Sequence, residues 1–160
     1  MNDIIYLTKM TQEIAEAYFQ HFVIDPALFL DGQQIRKFVY SEEWLEAYLE
    51  RNKDNVHLAI MIQNNPIGEI LFKRIDHANG TAVLSIHLQN DSVKGKGYGT
   101  CAETLAIEYA FNELKLNVLY ADAIKNNPRS MHVLEKVGFQ LVNEDEQFMY
   151  YKIENLQSHQ

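Results

Sequence analysis

Lys94-Gly95-Lys96-Gly97-Tyr98-Gly99-Thr100 sets three glycines and two lysines within seven residues. Before it, TAVLSIHL (Thr81 to Leu88) alternates Leu84, Ile86 and Leu88 with Ser85 and His87, as a half-buried strand does. After it, Tyr98, Cys101, Ala102, Leu105, Ala106, Tyr109, Ala110 and Leu114 recur at three- and four-residue steps. That spacing predicts a helix from about Gly97 to Leu114, with Cys101 on its apolar stripe. The glycines therefore lie where a strand turns into a helix. Such a turn allows a ligand close to the backbone, and the helix start offers unpaired N–H groups and positive dipole to phosphate oxygens.

Outward from the loop, the first half of the chain reads as strands and the second half as alternating elements. IIYLT (Ile4 to Thr8) is β-branched and aromatic, an opening strand. Thr11 to Phe22 carries Ile14, Ala15, Tyr18, Phe19 and Phe22 at helical spacing. Val23 to Val39, with Pro26 and Gly32, reads as loop, and Ser41 caps a helix over Glu42 to Glu50. VHLAIMI (Val56 to Ile62) should end at a turn over Asn64-Asn65-Pro66, and PIGEILFKRI (Pro66 to Ile75) at Asn79-Gly80, a strong hairpin signal. Past the long helix, VLYADA (Val118 to Ala123) is a strand and Asn127 to Val137 a helix stopped at Gly138; FQLVNE and QFMYYKI form a final strand pair. The order is α+β with a mixed sheet, and without repeat or linker the 160 residues make a single domain, 1–160.

Composition narrows the function. The formal net charge of −8 has the wrong sign for a general nucleic-acid binder and mildly favours cationic substrates. One cysteine excludes an internal disulfide and a cysteine-rich zinc site, and the histidines lack metal-ligand spacing, so no metal is expected. No apolar run approaches the ~20 residues of a membrane span, and the N-terminus lacks a signal-peptide pattern; cytoplasmic location without membrane association is the expectation. Against this acidic background Lys94, Lys96, Lys125, Arg129 and Lys136 gather around the glycine loop, as an anionic ligand would require.

Three phosphate-binding patterns compete for the loop. The P-loop string is missing. A dinucleotide fingerprint needs Gly-x-Gly-x-x-Gly, whereas Gly95, Gly97 and Gly99 are evenly spaced. Asp122 does end the next strand about 20 residues on, where a ribose-binding acid would sit, but an antiparallel meander precedes the loop instead of opening a doubly wound sheet. The third pattern fits. Lys94-x-x-Gly97-x-Gly99 resembles the Arg/Gln-x-x-Gly-x-Gly/Ala coenzyme A loop of the GNAT superfamily of N-acetyltransferases. Asn127-Pro-Arg-Ser130 and Leu134-Glu-Lys136-Val-Gly138-Phe139 resemble the second segment of that superfamily, in its order and at its separation. The resemblance runs from about Pro66 to Tyr151.

The resemblance implies the acyl-CoA N-acyltransferase fold: a central mixed sheet of about 6–7 strands, about four flanking helices and a splay between strands four and five. It implies acetyl-CoA as co-substrate and direct acetyl transfer to an amine, either a protein N-terminus or a small-molecule primary amine; a homodimer is compatible with it. The pantetheine arm would pair with the backbone near His87, Leu88 and Gln89. The pyrophosphate would sit on Lys94, Gly95, Lys96, Gly97, Tyr98, Gly99 and Thr100, and Asn127 and Ser130 would add side-chain contacts. Arg129 and Lys136 would lie toward the nucleotide or simply face water. Leu134 stands where many members carry a tyrosine that protonates the departing thiolate. This feature resembles the branch acting on ribosomal-protein N-termini, and it keeps open the alternative of a catalytically silent coenzyme A-binding sensor or scaffold.

The transfer requires a neutral amine, so a base must take a proton from an alkylammonium of pKa near 10. Glu69 and His87, on the strands flanking the expected cleft, are the candidate bases, and Asp122 is a weaker third. The oxyanion would be held by a backbone N–H near Leu88. Phe22, Phe29, Leu30, Phe38, Tyr40 and Trp44 read as core around the first loop, a region that forms the acceptor wall in the superfamily.

Overall fold

The computed structural model describes residues 4–24 and 38–156, apart from the Asp91 side chain. Phe29, Leu30 and most of the loop expected over Val23 to Val39 lie outside the described residues. The elements run β1 (Ile5–Lys9), α1 (Gln12–Phe19), α2 (Glu42–Arg51), β2 (Val56–Ile62), β3 (Asn65–Asp76), β4 (Thr81–Leu88), α3 (Tyr98–Asn112), β5 (Val118–Ile124), α4 (Pro128–Lys136), β6 (Gln140–Glu144) and β7 (Phe148–Glu154). Polar caps start the helices where the sequence places them. Thr11 accepts from the Ile14 N–H, Ser41 from Trp44 and Asn127 from Ser130. Each such cap stabilises a helix by about 1 kcal/mol. Among the described residues no helix is long and apolar enough to cross a membrane.

The strands form one sheet in the order β1-β2-β3-β4-β5-β7-β6. Every neighbouring pair is antiparallel except β4–β5, which is parallel. The turn between β2 and β3 falls at Gln63–Asn64 and not on Asn64-Asn65-Pro66, because Gln63 takes the left-handed conformation at φ 54°. Pro66 then belongs to β3, opposite Met61, where the ladder shifts register. A residue without an N–H is tolerated at such a bulge.

The parallel ladder is short. It runs from Thr81–Val118 to Val83–Tyr120, whereas β5 continues paired with β7 through Ile124. Anchored on its far side, β5 leaves β4, and the sheet forks beyond Val83. Two cores cover the sheet. Leu58, Ile60, Ile70, Phe72 and Leu84 pack on one face with Ala102, Ala106 and Ala110 of α3 and Leu134 of α4. Ala59 and Met61 pack on the other with Tyr18 and Phe19 of α1 and Leu45 of α2; Phe22, Phe38, Tyr40 and Trp44 join this second core, as read from the sequence.

The stripe of α3 is rotated from its predicted position. Its buried residues are Ala102, Glu103, Ala106 and Ala110, and Cys101 is exposed instead of packed in the core. Alanine faces allow α3 close to the sheet, and the larger apolar residues of the predicted stripe end up flanking that contact line.

Candidate active site

The fork in the sheet opens a cavity of about 630 Å³. Its walls come from β4 (Leu84 to Leu88), β5 (Ala121 to Ile124), the glycine loop, α3 and α4, with Phe22 and Val23 at one edge. The backbone of β4 explains why a ligand is called for. In an antiparallel ladder alternate residues turn their N–H and C=O to a given neighbour. The Gln89 N–H bonds the Ile67 carbonyl at 2.8 Å, and Gly68 pairs with Leu88 across β3–β4. Positions 87 and 89 thus face β3, while Ile86 and Leu88, past the last rung of the β4–β5 ladder at Val83–Tyr120, turn their backbone groups toward β5, which has already departed. A buried strand edge without partners is costly unless a ligand completes it.

This alternation revises two expected coenzyme contacts. The backbone of His87 faces β3, and both backbone groups of Gln89 have protein partners, the N–H with Ile67 and the carbonyl with the Val23 N–H at 2.9 Å. The Gln89 side chain also donates to the Tyr18 carbonyl at 2.9 Å, so Gln89 is a structural clasp joining α1 to the end of β4. Leu88 alone of the three turns its backbone to the fork.

Lys94, Gly95, Gly97, Gly99 and Thr100 of the loop line the cavity, whereas Lys96 is exposed away from it and Tyr98 packs against the core. Gly95 and Gly97 have φ of 74° and 81°, and Gly97 is the N-cap of α3. A Cβ placed on Gly95, Gly97 or Gly99 would meet nothing within 4 Å. The glycines are therefore not required by packing inside the protein. Two serve backbone conformation, and all three leave open space before the first turn of α3, where a phosphate would rest. Asn127 and Ser130 line the cavity too; the Asn127 side-chain oxygen caps α4, which leaves its NH2 for a ligand. Exposed Arg129 is at the wall, and Lys136 is not.

On the α1–α2 face, Glu69 stands directly across from His87. Only 2% of Glu69 is exposed, and it does not reach the cavity. The Tyr48 hydroxyl lies 2.9 Å from each of its oxygens, His57 Nε2 lies 2.7 Å from Oε2, and His87 Nδ1 lies 3.4 Å from Oε1. Burial alone would raise this carboxyl, but the hydrogen bonds and charge of His57 and His87 outweigh it and hold it down to about 2. The same anion, added to burial, pushes the Tyr18 and Tyr48 phenols up. His87 is different: its side chain is part-exposed and lines the cavity, and with Nδ1 toward Glu69 its other nitrogen is the one left to face a substrate. Asp122 is exposed at the opposite wall. Leu134 is 2% exposed and contributes only an apolar surface to the cavity.

Sequence reasoning missed Tyr18, Tyr48, His57 and Glu103. Tyr18 and Tyr48 read as helix stripe, and His57 as the start of a strand. The hairpin registers put Glu69 opposite His87 on one side and opposite Ala59 on the other, with His57 two residues along β2 from Ala59, a diagonal that no single strand's pattern shows.

Among the described residues the sheet has one parallel pair and forks there, with a glycine-rich helix start at the fork, which is the architecture of the acyl-CoA N-acyltransferase fold. Residues 5–140 match the family model for the acetyltransferase (GNAT) domain, and the chain belongs to that family. It is an acetyl-CoA-dependent N-acetyltransferase. The probable N-acetyltransferase YjcK of Bacillus subtilis is 34% identical over 128 residues, spanning 76% of this chain and 67% of that protein. The spermidine N(1)-acetyltransferase of Vibrio cholerae is 27% identical over 101 residues, or 61% of this chain and 58% of the relative. The chain thus matches little more than half the length of that enzyme. The crystal structure of a spermidine N-acetyltransferase from Vibrio cholerae in complex with CoA and spermine shares the fold, with a TM-score of 0.72, 18% identity and coverage of 94% of this chain and 95% of that one.

Proposed function

We propose that the acceptor is a small aliphatic polyamine, with His87 as the proton acceptor and Glu69 as the residue that positions it. The observation carrying this reading is the His87–Glu69 pair at the cavity edge: an imidazole in reach of substrate, backed by a buried carboxylate that stays anionic. A carboxyl held near 2 is too weak a base to deprotonate an ammonium efficiently, which favours His87 over Glu69. What Glu69 supplies is orientation, by holding Nδ1 as the donor and leaving Nε2 to accept a proton. The acceptor class rests on charge, because a formal −8 attracts polycations, and on the spermidine-acetylating relative.

Acetyl-CoA, when bound, supplies an activated thioester carbonyl. The open glycine loop and the unfilled β4 edge fit its phosphates and its amide-bearing arm. In this reading Gly95, Gly97, Gly99 and Thr100 hold the pyrophosphate, the Asn127 NH2 and Ser130 contact the arm, and Lys94 adds positive charge. The Leu88 N–H, turned to the fork, holds the carbonyl oxygen. Leu134 offers no proton, so in this reading the thiolate leaves unprotonated or takes its proton from water.

Steady-state acetylation of spermidine and of a peptide with a free N-terminus, measured side by side, tests the acceptor. A kcat/KM for spermidine more than about tenfold above the peptide supports the polyamine reading. The reverse preference replaces it with protein N-terminal acetylation, the branch that Leu134 resembles. Acetyl-CoA binding with no transfer to either would leave the silent sensor or scaffold.

A further inference from the structure

Glu103 is the buried acid that the mechanism above does not use. It lies on the sheet-facing side of α3 between Ala102 and Ala106, 9% exposed, and lines the cavity. Its Oε2 has no hydrogen-bond partner among the described residues. An acid in that state within a sealed core is strongly unfavourable, and an alanine, like its neighbours on the face, would pack without the cost. Buried apolar residues on the same cavity include Ala121 and Ala123 of β5 and Leu134 of α4.

Position says what could meet it. Glu103 follows the Gly97 cap by six residues, so at 1.5 Å per residue it lies roughly 9 Å down the helix from the phosphate cradle. Across the same cavity runs the β4 edge of Ile86 and Leu88, beyond the end of the β4–β5 ladder, which asks for an extended ligand carrying amide groups.

We infer that Glu103 binds the pantetheine arm of the coenzyme as a neutral carboxyl, donating a hydrogen bond to one of the arm's amide carbonyls. The inference rests on the coenzyme reading above. Burial pushes the Glu103 carboxyl up to about 7, so that near neutrality the proton is present about half the time before the ligand arrives. The titratable and charged groups on the surrounding walls are His87 of β4, Lys94 of the loop, Asp122 of β5 and Arg129 of α4, while β1 packs Ile5 and Leu7 against this core. Burial is the sole cause of the shift, and none of these groups supplies it. The coenzyme should therefore bind the protonated form and draw a proton from solution above neutral pH.

The test is calorimetric titration of the full chain with acetyl-CoA at pH 6 to 8.5, in pairs of buffers with different ionisation heats. At pH 8 the ligand's phosphates, with second pKa near 6, are ionised and add little to the proton count. The wild type should take up close to one proton per ligand at pH 8, with affinity falling by up to about tenfold per pH unit above 7. Glu103→Gln, which keeps a donor but cannot titrate, should bind without that uptake and with a flatter pH profile, and Glu103→Ala should bind more weakly at pH 6. Equal proton uptake by wild type and Glu103→Gln, or no uptake by the wild type at pH 8, overturns the inference and leaves the coenzyme reading intact. If Glu103→Gln does not fold, the wild-type uptake at pH 8 still decides. Failure of the wild type to bind acetyl-CoA at any pH overturns both.

Discussion

At the residue scale the glycine loop and the His87 imidazole make separable predictions. Gly99 lies inside the first turn of α3 with open space where a Cβ would be, so a side chain there costs the fold little. Gly99→Ala should leave thermal stability unchanged or slightly raised, since alanine is the better helix former by about 1 kcal/mol. Gly99→Glu should fold equally well yet lose acetyl-CoA affinity by at least about tenfold in titration, because it adds bulk and negative charge at the phosphate position. Wild-type affinity in Gly99→Glu would mean that the phosphates do not lie on this helix start. Removal of the base should act on the chemical step alone: His87→Ala should lower kcat by about 10²–10⁴ while acetyl-CoA affinity stays near wild type. Glu69→Gln should lower kcat and distort the pH–rate profile while the amine KM holds, with Glu69→Asp recovering part of the rate. A Glu69→Gln enzyme with full kcat and an unchanged profile would remove Glu69 from the positioning role.

At the scale of elements, Gly68 shows how tightly the β2–β3–β4 meander holds the site. A Cβ there would come 2.7 Å from Ile60 Cδ1 and 2.8 Å from the His87 carbonyl. The Ile60 methyl can rotate away, but the carbonyl belongs to the ladder and accepts from the Tyr18 hydroxyl at 3.4 Å. Gly68→Ala should therefore destabilise by about 1–3 kcal/mol in urea unfolding and also lower kcat, since the carbonyl that must shift belongs to His87. A fully stable Gly68→Ala would show that β4 yields more readily than its pairing implies. The same meander marks where sequence reading succeeds and stops. Elements are legible because local chemistry sets them: Ser41 and Asn127 cap their helices, and Gly80 at φ 71° turns the β3–β4 hairpin. The loop motif is legible because phosphate binding needs a local run of small residues. The Tyr48–His57–Glu69–His87 cluster is not, since it depends on two strand registers and on how α2 lies across the sheet. Cys101 lies off the buried face of α3 although it sits on the apolar stripe, because α3 is rich in small, weakly polar residues and its periodicity barely separates the buried face from the exposed one.

At the scale of the whole molecule, two buried carboxyls on opposite faces of the sheet give the protein opposing responses to pH. Glu69 is held down to about 2 in the folded chain, against an ordinary 4.5. The folded state therefore binds its proton less readily than the unfolded state does, and its stabilising contribution is present above pH 4.5 and lost as pH falls toward 2. Glu103 is raised from 4.5 to about 7, so the folded chain holds a proton that the unfolded chain has released. Stability from this residue is complete below pH 4.5, declines between 4.5 and 7, and levels off above, a loss of about 3 kcal/mol by pH 8. Thermal unfolding of the ligand-free chain at pH 5 and pH 8 isolates the second effect. Glu103→Gln should melt close to wild type at pH 5 and higher than wild type at pH 8, by about 6–12 °C at the ~2–4 °C per kcal/mol expected for a chain of this length. A variant that melts in parallel with wild type at both values would show that Glu103 reaches solvent or a partner in the free protein, and its carboxyl would not be the strained group described above. The direction matters for function as well as stability. An acid costly to bury in the empty fork persists only if the occupied fork gives something back, so the ligand-free destabilisation at pH 8 and the proton uptake on binding acetyl-CoA are two measurements of the same carboxyl.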